Sequence, residues 1–412
     1  MFDLCLFDLD QTLVDTSKLE EIRLKGLGKG PSYERDLLHA LRKAAPRRFY
    51  QQTALQHLRQ QFPDMKVGVF TRSPRRYALA VLEWAYPDFE WDIVVAYEDV
   101  THTKPSGEGI LTAMVELGIE DVEKVVLVGD NLPDVHAAYN AGCWIVLDRS
   151  NWPKPATSNH WYALERIPDA IIIKTAELPE VLASPSSFLP ELERRLANAP
   201  RTRQRARFDT NRHMPPRAIE QVRAGTPVQT AGKFFSNYES LQYRREWHSL
   251  TASIHECKDA TSFPDDWVNV IRTFVNRTRN EHEQVVVSVI PHRPGRRPRL
   301  EAFLNQVDEA FESGVGWHPD GVSFVPDLFA YREGVRSNSN DRLTQVERYE
   351  NVRDHLYVTR PEDVDPDSAY IVIDDVATSG ASFFYVKKYL EAAGAKHVIC
   401  FALAKNISDV ND

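Results

Sequence analysis

The sequence predicts an α/β protein built of two doubly wound, mostly parallel sheets in tandem. Three observations lead there. A chain of 412 residues exceeds one ordinary core and fits two domains of about 150–200 residues each. Short apolar runs alternate with helical patterns in both halves, as parallel sheets with crossover helices require. Near each end, one apolar run finishes in acidic residues, at Asp8 and Asp10 and again at Asp374 and Asp375, where open α/β sheets place their ligands.

In order along the first half, strands are expected at Phe2–Phe7, Val67–Phe70, Ile93–Ala96, Val125–Val128, Trp144–Leu147 and Ile171–Ile173. Helices are expected over Ala78–Tyr86 and Gly109–Leu117, with a small helical pair inside Thr16–Tyr50. After Pro179 the pattern weakens into Ser/Pro-rich chain and then Arg194–Arg223, which carries nine arginines. This reads as a linker, residues 183–221, or as an ordered arm, between a domain at 1–182 and a domain at 222–412. In the second half, strands are expected at Val285–Ile290, Ser323–Val325, Tyr370–Ile373 and Val398–Leu403, and a helix over Phe383–Ala393 that stops at Gly394.

Formal net charge is −9, so no global basic field draws in nucleic acid or membrane. Cys5, Cys143, Cys257 and Cys400 form no C-x-x-C pair and read as reduced core thiols. No apolar stretch reaches about 18 residues, and the N-terminus opens on a strand pattern rather than a signal peptide. A cytoplasmic location is the expectation.

Asp8 and Asp10 stand two residues apart at a strand end, so both carboxylates project to one side. One can attack phosphorus while the other handles the leaving-group proton. Two acids so close repel, and a divalent cation is their natural partner. Three more signals follow in order: Thr71-Arg72-Ser73 after the second strand, Thr103-Lys104-Pro105, and Gly129-Asp130-Asn131-Leu132-Pro133-Asp134.

These four signals together resemble the four motifs of the haloacid dehalogenase (HAD) superfamily of phosphohydrolases, over roughly Met1–Leu182. The resemblance implies a Rossmann-like domain with a small cap and a phosphatase using Mg²⁺. It implies Asp8 as the nucleophile that forms an aspartyl-phosphate and Asp10 as general acid/base. Thr71 and Lys104 would hold the transferring phosphoryl group, and Arg72 and Ser73 would line the substrate site. The metal would sit on Asp8, the main-chain carbonyl of Asp10 and Asp130, with Asp134 in a secondary role.

In the second half, Tyr370–Ser382 runs from a buried-looking strand through Asp374 and Asp375 into the small-residue turn Ala377-Thr378-Ser379-Gly380-Ala381-Ser382 and a helix. Main-chain N–H groups of such a turn can close around a phosphate, helped by the helix N-terminus. The run resembles the phosphoribosyl pyrophosphate (PRPP) signature of type I phosphoribosyltransferases, and its surroundings resemble the ComF-type branch, without that branch's zinc ribbon. The resemblance covers about Val222–Ile407. It implies that Ala377–Ser382 wrap the 5′-phosphate, that Asp374 and Asp375 meet the ribose hydroxyls, and that Arg293 meets a pyrophosphate bridged by Mg²⁺. Trp247, Phe263, Trp267 and Phe329 read as core aromatics, with base stacking as their alternative.

The combined expectation is a bifunctional enzyme of nucleotide metabolism whose partners are a phosphomonoester small molecule or nucleotide and PRPP. Two alternatives stay open. One is a nucleic-acid end-processing phosphatase gripping the backbone with Arg194–Arg223, against which the net charge counts; the other is a phosphatase with a PRPP- or nucleotide-sensing second domain.

Overall fold

The computed structural model describes residues 1–26, 31–43, 45–202, 205–221, 224–313, 320–337 and 343–409. Its contacts divide into two compact units. The first is Met1–Leu189 with Phe235–His248 and the residues from Ile407; the second is Pro190–Phe234 with Ser249–Asn406.

The first unit holds β1 (Leu4–Phe7), β2 (Lys66–Phe70), β3 (Ile93–Val95), β4 (Val125–Gly129), β5 (Trp144–Asp148) and β6 (Ala170–Ile172). They form one sheet in the order β3-β2-β1-β4-β5-β6, and every pair is parallel. Leu4 lies opposite both Lys66 and Val125, so β1 is central. Because side chains alternate across a strand, Cys5 and Phe7 join Val67, Val69, Val126 and Val128 on one face, while Leu4 and Leu6 join Val125, Leu127, Ile145 and Leu147 on the other. The chain steps outward from β1 to β2 and β3, then returns to β4 on β1's far side. The sheet order therefore reverses between β1 and β4, and the crevice beyond their carboxyl ends is where a ligand belongs.

Helices Glu20–Leu24 and Pro31–Arg42 supply the expected small pair after the first motif. Strand and helix ends in this unit otherwise match the sequence expectation to within three residues, as at Arg75–Ala85 and Glu108–Leu117.

The first unit also takes in Phe235–His248, which the sequence expectation assigned to the second domain. The physical reason is burial. Phe235 and Leu241 belong to the core on the Leu4 face. Arg244 is fully buried, with Nη2 donating to Asp169 Oδ1 at 2.5 Å and Nη1 to the Cys143 carbonyl at 2.7 Å. Its guanidinium lies 3.9 Å from the centroid of the Trp247 ring, which stacks on Trp144 at 5.5 Å. Trp247 is thus half-buried and engaged by Trp144 and Arg244 within this unit.

The second unit holds β7 (Asp209–His213), β8 (Thr226–Thr230), β9 (Val285–Val289), β10 (Val322–Phe324), β11 (Ala369–Ala377) and β12 (His397–Ile407), in the order β10-β9-β11-β12-β8-β7. All pairs are parallel except β7 with β8. Here the order reverses between β9 and β11, which puts the crevice beyond Val289 and beyond the end of β11. A helix over Ala381–Ala392 follows β11, and Gly394 has φ 113°.

The expected linker is therefore largely structured. Residues 190–221 belong to the second unit, with a helix at Glu191–Leu196 and the edge strand β7. Buried Glu191 gathers Arg194, Arg195 and Arg201, at 2.9, 2.8 and 2.6 Å from its Oε1, so part of the arginine run is spent on an internal carboxylate. Arg203, Arg223 and the expected boundary residue Val222 lie outside the described residues.

Phe263, Trp267 and Phe329 are in the second unit's core. All four cysteines are free and buried, and burial pushes Cys143 and Cys400 each up to about 12. Among the described residues, no helix is long and apolar enough to cross a membrane.

Candidate functional site

The carboxyl ends of β1, β2 and β4 bring the four N-terminal motifs to one place. Asp8 follows β1 directly, and its N–H continues the ladder to the Val128 carbonyl at 2.8 Å. Gln11 has φ 67°, in the left-handed region, and this bend lets the chain turn away from the sheet with Asp10 still at its edge. Thr71 follows β2 and is buried. Lys104 reaches in from the loop before helix Glu108–Leu117.

Lys104 is the pivot of the site. Its ammonium is 3% exposed as a residue and donates to Asp8 Oδ1 and to Asp134 Oδ1, both at 2.7 Å. Burial alone would lower its pKa, but Asp134 and Asp8 outweigh burial and raise it. Burial pushes the Asp8 carboxyl well above the usual range, with Lys104 pulling it back and Asp134, Asp130 and Asp10 pushing it further up. Asp130 is likewise raised by burial, partly offset by His160.

The helix that opens at Leu132 explains how Asp134 is aimed. Pro133 suits the first turn, and Asp134, one turn in, reaches back so that Oδ2 accepts the Asn131 N–H at 3.3 Å. Gly129 permits this approach: a Cβ there would lie 2.3 Å from Asp134 Cγ.

Carboxylate oxygens of Asp8, Asp130 and Asp134, all buried, lie within 4.8 Å of one another. Asp10's side chain stands apart from that cluster. Its Oδ1 accepts from Thr16 Oγ1 at 2.6 Å and Tyr77 Oη at 3.0 Å, and its Oδ2 accepts from Ser73 Oγ, with the Arg23 guanidinium at 3.5 Å. Thr71 Oγ1 accepts the Ser73 N–H at 3.1 Å. Arg72 is exposed beside them. Asp8, Asp10, Arg23, Thr71, Arg72, Ser73, Lys104 and Asp134 line a cleft of about 430 Å³.

Sequence reasoning missed the groups behind Asp130. Trp152 Nε1 donates to the Asp130 carbonyl at 2.8 Å, and His160 Nε2 lies 3.4 Å from Asp130 Oδ2. His160 Nδ1 is 3.0 Å from the Thr157 N–H, which can only donate. Nδ1 is therefore the acceptor, and Nε2 carries the proton that faces Asp130. Thr16, Tyr77, Trp152 and His160 belong to no short motif, and nothing in their spacing announced them.

The second unit gathers its own set of groups. Asp374 and Asp375 lie within β11, which runs past them to Ala377. The Arg299 guanidinium bonds the Asp375 carboxylate. Burial, and then repulsion from Asp375, push the Asp374 carboxyl well above the usual range. Burial raises the Tyr331 hydroxyl, with Ser382 and Arg293 pulling it back and Asp374 pushing it further up.

Thr378, Ser379 and Gly380 form the turn, and Ala381 opens the helix that carries Ser382. Gly380 has φ 78°, and a Cβ there would meet His213 Cβ at 2.3 Å, so glycine is required twice over. Tyr349 Oη donates to the Ser379 carbonyl at 3.0 Å. Burial and the Lys405 cation hold His213 down at about 4. Arg299, Tyr331 and His213 went unnoticed in the sequence because each lies far along the chain from the signature.

Residues 48–147 match the haloacid dehalogenase-like hydrolase family, a span that contains Thr71, Lys104, Asp130 and Asp134. The N-terminal half holds a HAD-superfamily domain. The chain is 31% identical over 116 residues to the N-acetylmuramic acid 6-phosphate phosphatase of Pseudomonas aeruginosa, covering 28% of this chain and 49% of that protein. It is 37% identical over 83 residues to the phosphonoacetaldehyde hydrolase of Bordetella pertussis, covering 20% and 30%. A solved HAD-superfamily hydrolase from Ehrlichia chaffeensis is 15% identical with a TM-score of 0.30, covering 44% of this chain and 98% of that one. The chain spans about half or less of the length of these two curated relatives.

The residues of the HAD domain fit a divalent cation. Three buried carboxylates converge, one ammonium faces them, and the donors are hard oxygens of the kind Mg²⁺ prefers.

Proposed function

We propose that the HAD domain is a Mg²⁺-dependent phosphomonoester hydrolase and that the second unit binds PRPP and uses it as a phosphoribosyltransferase. The observation that carries the first part is the buried Lys104 held between Asp8 and Asp134 with Asp130 alongside. Phosphoryl transfer needs positioning and neutralisation of phosphate oxygens more than covalent machinery.

Lys104 fixes Asp8 Oδ1, which leaves Oδ2 as the oxygen that attacks phosphorus and takes the phosphoryl group as an aspartyl-phosphate. Asp10, oriented by Thr16, Ser73 and Tyr77, gives a proton to the leaving oxygen and then takes one from the water that releases phosphate. Thr71 and Lys104 face the phosphoryl oxygens. Asp8, Asp130 and the Asp10 carbonyl would hold Mg²⁺, with Asp134 steadying Lys104; bound there, the ion supplies positive charge to the phosphate.

For the second unit, the support is the Gly380 turn at a helix N-terminus, reached directly from the strand that carries Asp374 and Asp375. A sensor that binds PRPP without transfer would use the same groups. The test has two arms. Asp8→Asn is expected to lose hydrolysis of a generic phosphomonoester by about a thousandfold or more, and retained Mg²⁺-dependent turnover would overturn the nucleophile. Asp374→Asn with Asp375→Asn is expected to weaken PRPP binding in calorimetry, and unchanged affinity would refute the second site. PRPP binding without pyrophosphate release across a panel of bases would favour the sensor.

A further inference from the structure

We propose that the substrate of the HAD domain carries a second anionic group, a carboxylate or another phosphate, read by Arg72 together with Arg23. This rests on the phosphatase reading and narrows its substrate class. The cleft above Asp8 measures about 430 Å³, the scale of a compact organic molecule rather than a polymer. Lys104 at its base is already committed to Asp8 and Asp134.

Arg72 differs from Lys104 in this respect. It follows Thr71 at the carboxyl end of β2, lines the cleft and is exposed, and among the described residues no ion pair or hydrogen bond engages its guanidinium. Arg23, on the short helix Glu20–Leu24, also lines the cleft. Among the described residues its single ionic contact, to Asp10 at 3.5 Å, is loose, and its side chain is 29% exposed.

Leu24, Pro74, Tyr97 and Pro133 supply apolar parts of the walls, beside the polar Gln11, Thr103 and Asn131. The cleft thus offers a cation at the base for the transferring phosphoryl group, apolar surface for a carbon body, and two cations still able to pair. A guanidinium fork matches a carboxylate or phosphate in two parallel hydrogen bonds. A neutral body would leave Arg72 unpaired.

The experiment compares kcat/KM of the full chain with Mg²⁺ for glycerol phosphate, phosphoglycerate and glycerol bisphosphate. At least one of the two compounds with a second anionic group is expected to exceed glycerol phosphate by about tenfold or more, and which one leads separates carboxylate from phosphate. In Arg72→Gln that ratio should fall to within about twofold, while Arg72→Lys should keep part of it.

A wild-type ratio near one, or a ratio that survives in Arg72→Gln, would overturn the proposal. Turnover of glycerol phosphate with no such preference would do so while leaving the phosphatase reading in place. Should none of the three be hydrolysed, calorimetric affinities for the Asp8→Asn variant are held to the same ratio: equal affinities overturn it, and a tenfold difference abolished by Arg72→Gln supports it.

Discussion

Both units carry a pair of aspartates near the carboxyl end of a parallel strand at the point where the sheet order reverses, but they treat the charge differently. In the HAD domain a buried ammonium is built into the acids, touching Asp8 and Asp134 at 2.7 Å each. In the second unit the deeper acid, Asp374, keeps a raised pKa, and the nearby cation Arg299 bonds its neighbour Asp375 instead. One site is organised for charge before any ligand arrives. The other, in the proposed reading, would rely on main-chain groups at a turn and on whatever its ligand brings.

Lys104→Met should produce the largest effect of this difference. It leaves Asp8 and Asp134 buried and uncompensated, which costs about 3–5 kcal/mol, and it removes a phosphate partner as well. Urea unfolding without divalent metal should show the loss, and a change below about 1 kcal/mol would mean that the ammonium does not balance the cluster. Added Mg²⁺ should restore part of the stability, because the ion would stabilise the folded state to which it binds.

His160→Ala should come next. The imidazole N–H and the Trp152 indole N–H orient Asp130 from behind, and loss of such a support typically weakens metal binding about 10- to 100-fold. Mg²⁺ titration by calorimetry measures this without turnover. His160→Gln, which keeps a donor, should recover part of the affinity; equal loss in both variants would reduce His160 to packing.

Asp374→Asn should give the smallest change, and its sign is set by pH. Burial and Asp375 raise the folded pKa of Asp374 above its unfolded value, so the folded state holds this proton more tightly. The stability this contributes is complete below the ordinary carboxylate range and is lost as pH rises through the raised value. The variant should therefore gain on the wild type at neutral pH and lose that advantage in acid. A parallel pair of stability-against-pH curves would contradict the assignment.

How much of this was legible in the sequence follows from range. Asp8, Asp10, Thr71, Lys104 and Asp130 sit at strand ends or loops marked by short motifs, and the strands themselves are apolar runs such as Val125–Val128. The strand β7, Asp-Thr-Asn-Arg-His, carries no apolar alternation and passes for linker, and β8 contains Pro227, a residue that argues against a strand, so no strand is expected there. Arg244 carries no signal of its burial because its partner Asp169 lies 75 positions away. His160 and Arg299 are hidden for the same reason: tertiary contacts, not spacing, bring them to their acids.

The most direct test of the central claim is to trap the covalent intermediate. Quenching the full chain during steady turnover of a phosphomonoester with Mg²⁺, reducing with borohydride and sequencing peptides by mass spectrometry should find homoserine at Asp8, in wild type and not in Asp8→Asn. Continued hydrolysis with no modification at Asp8, or modification at another acid, would contradict it.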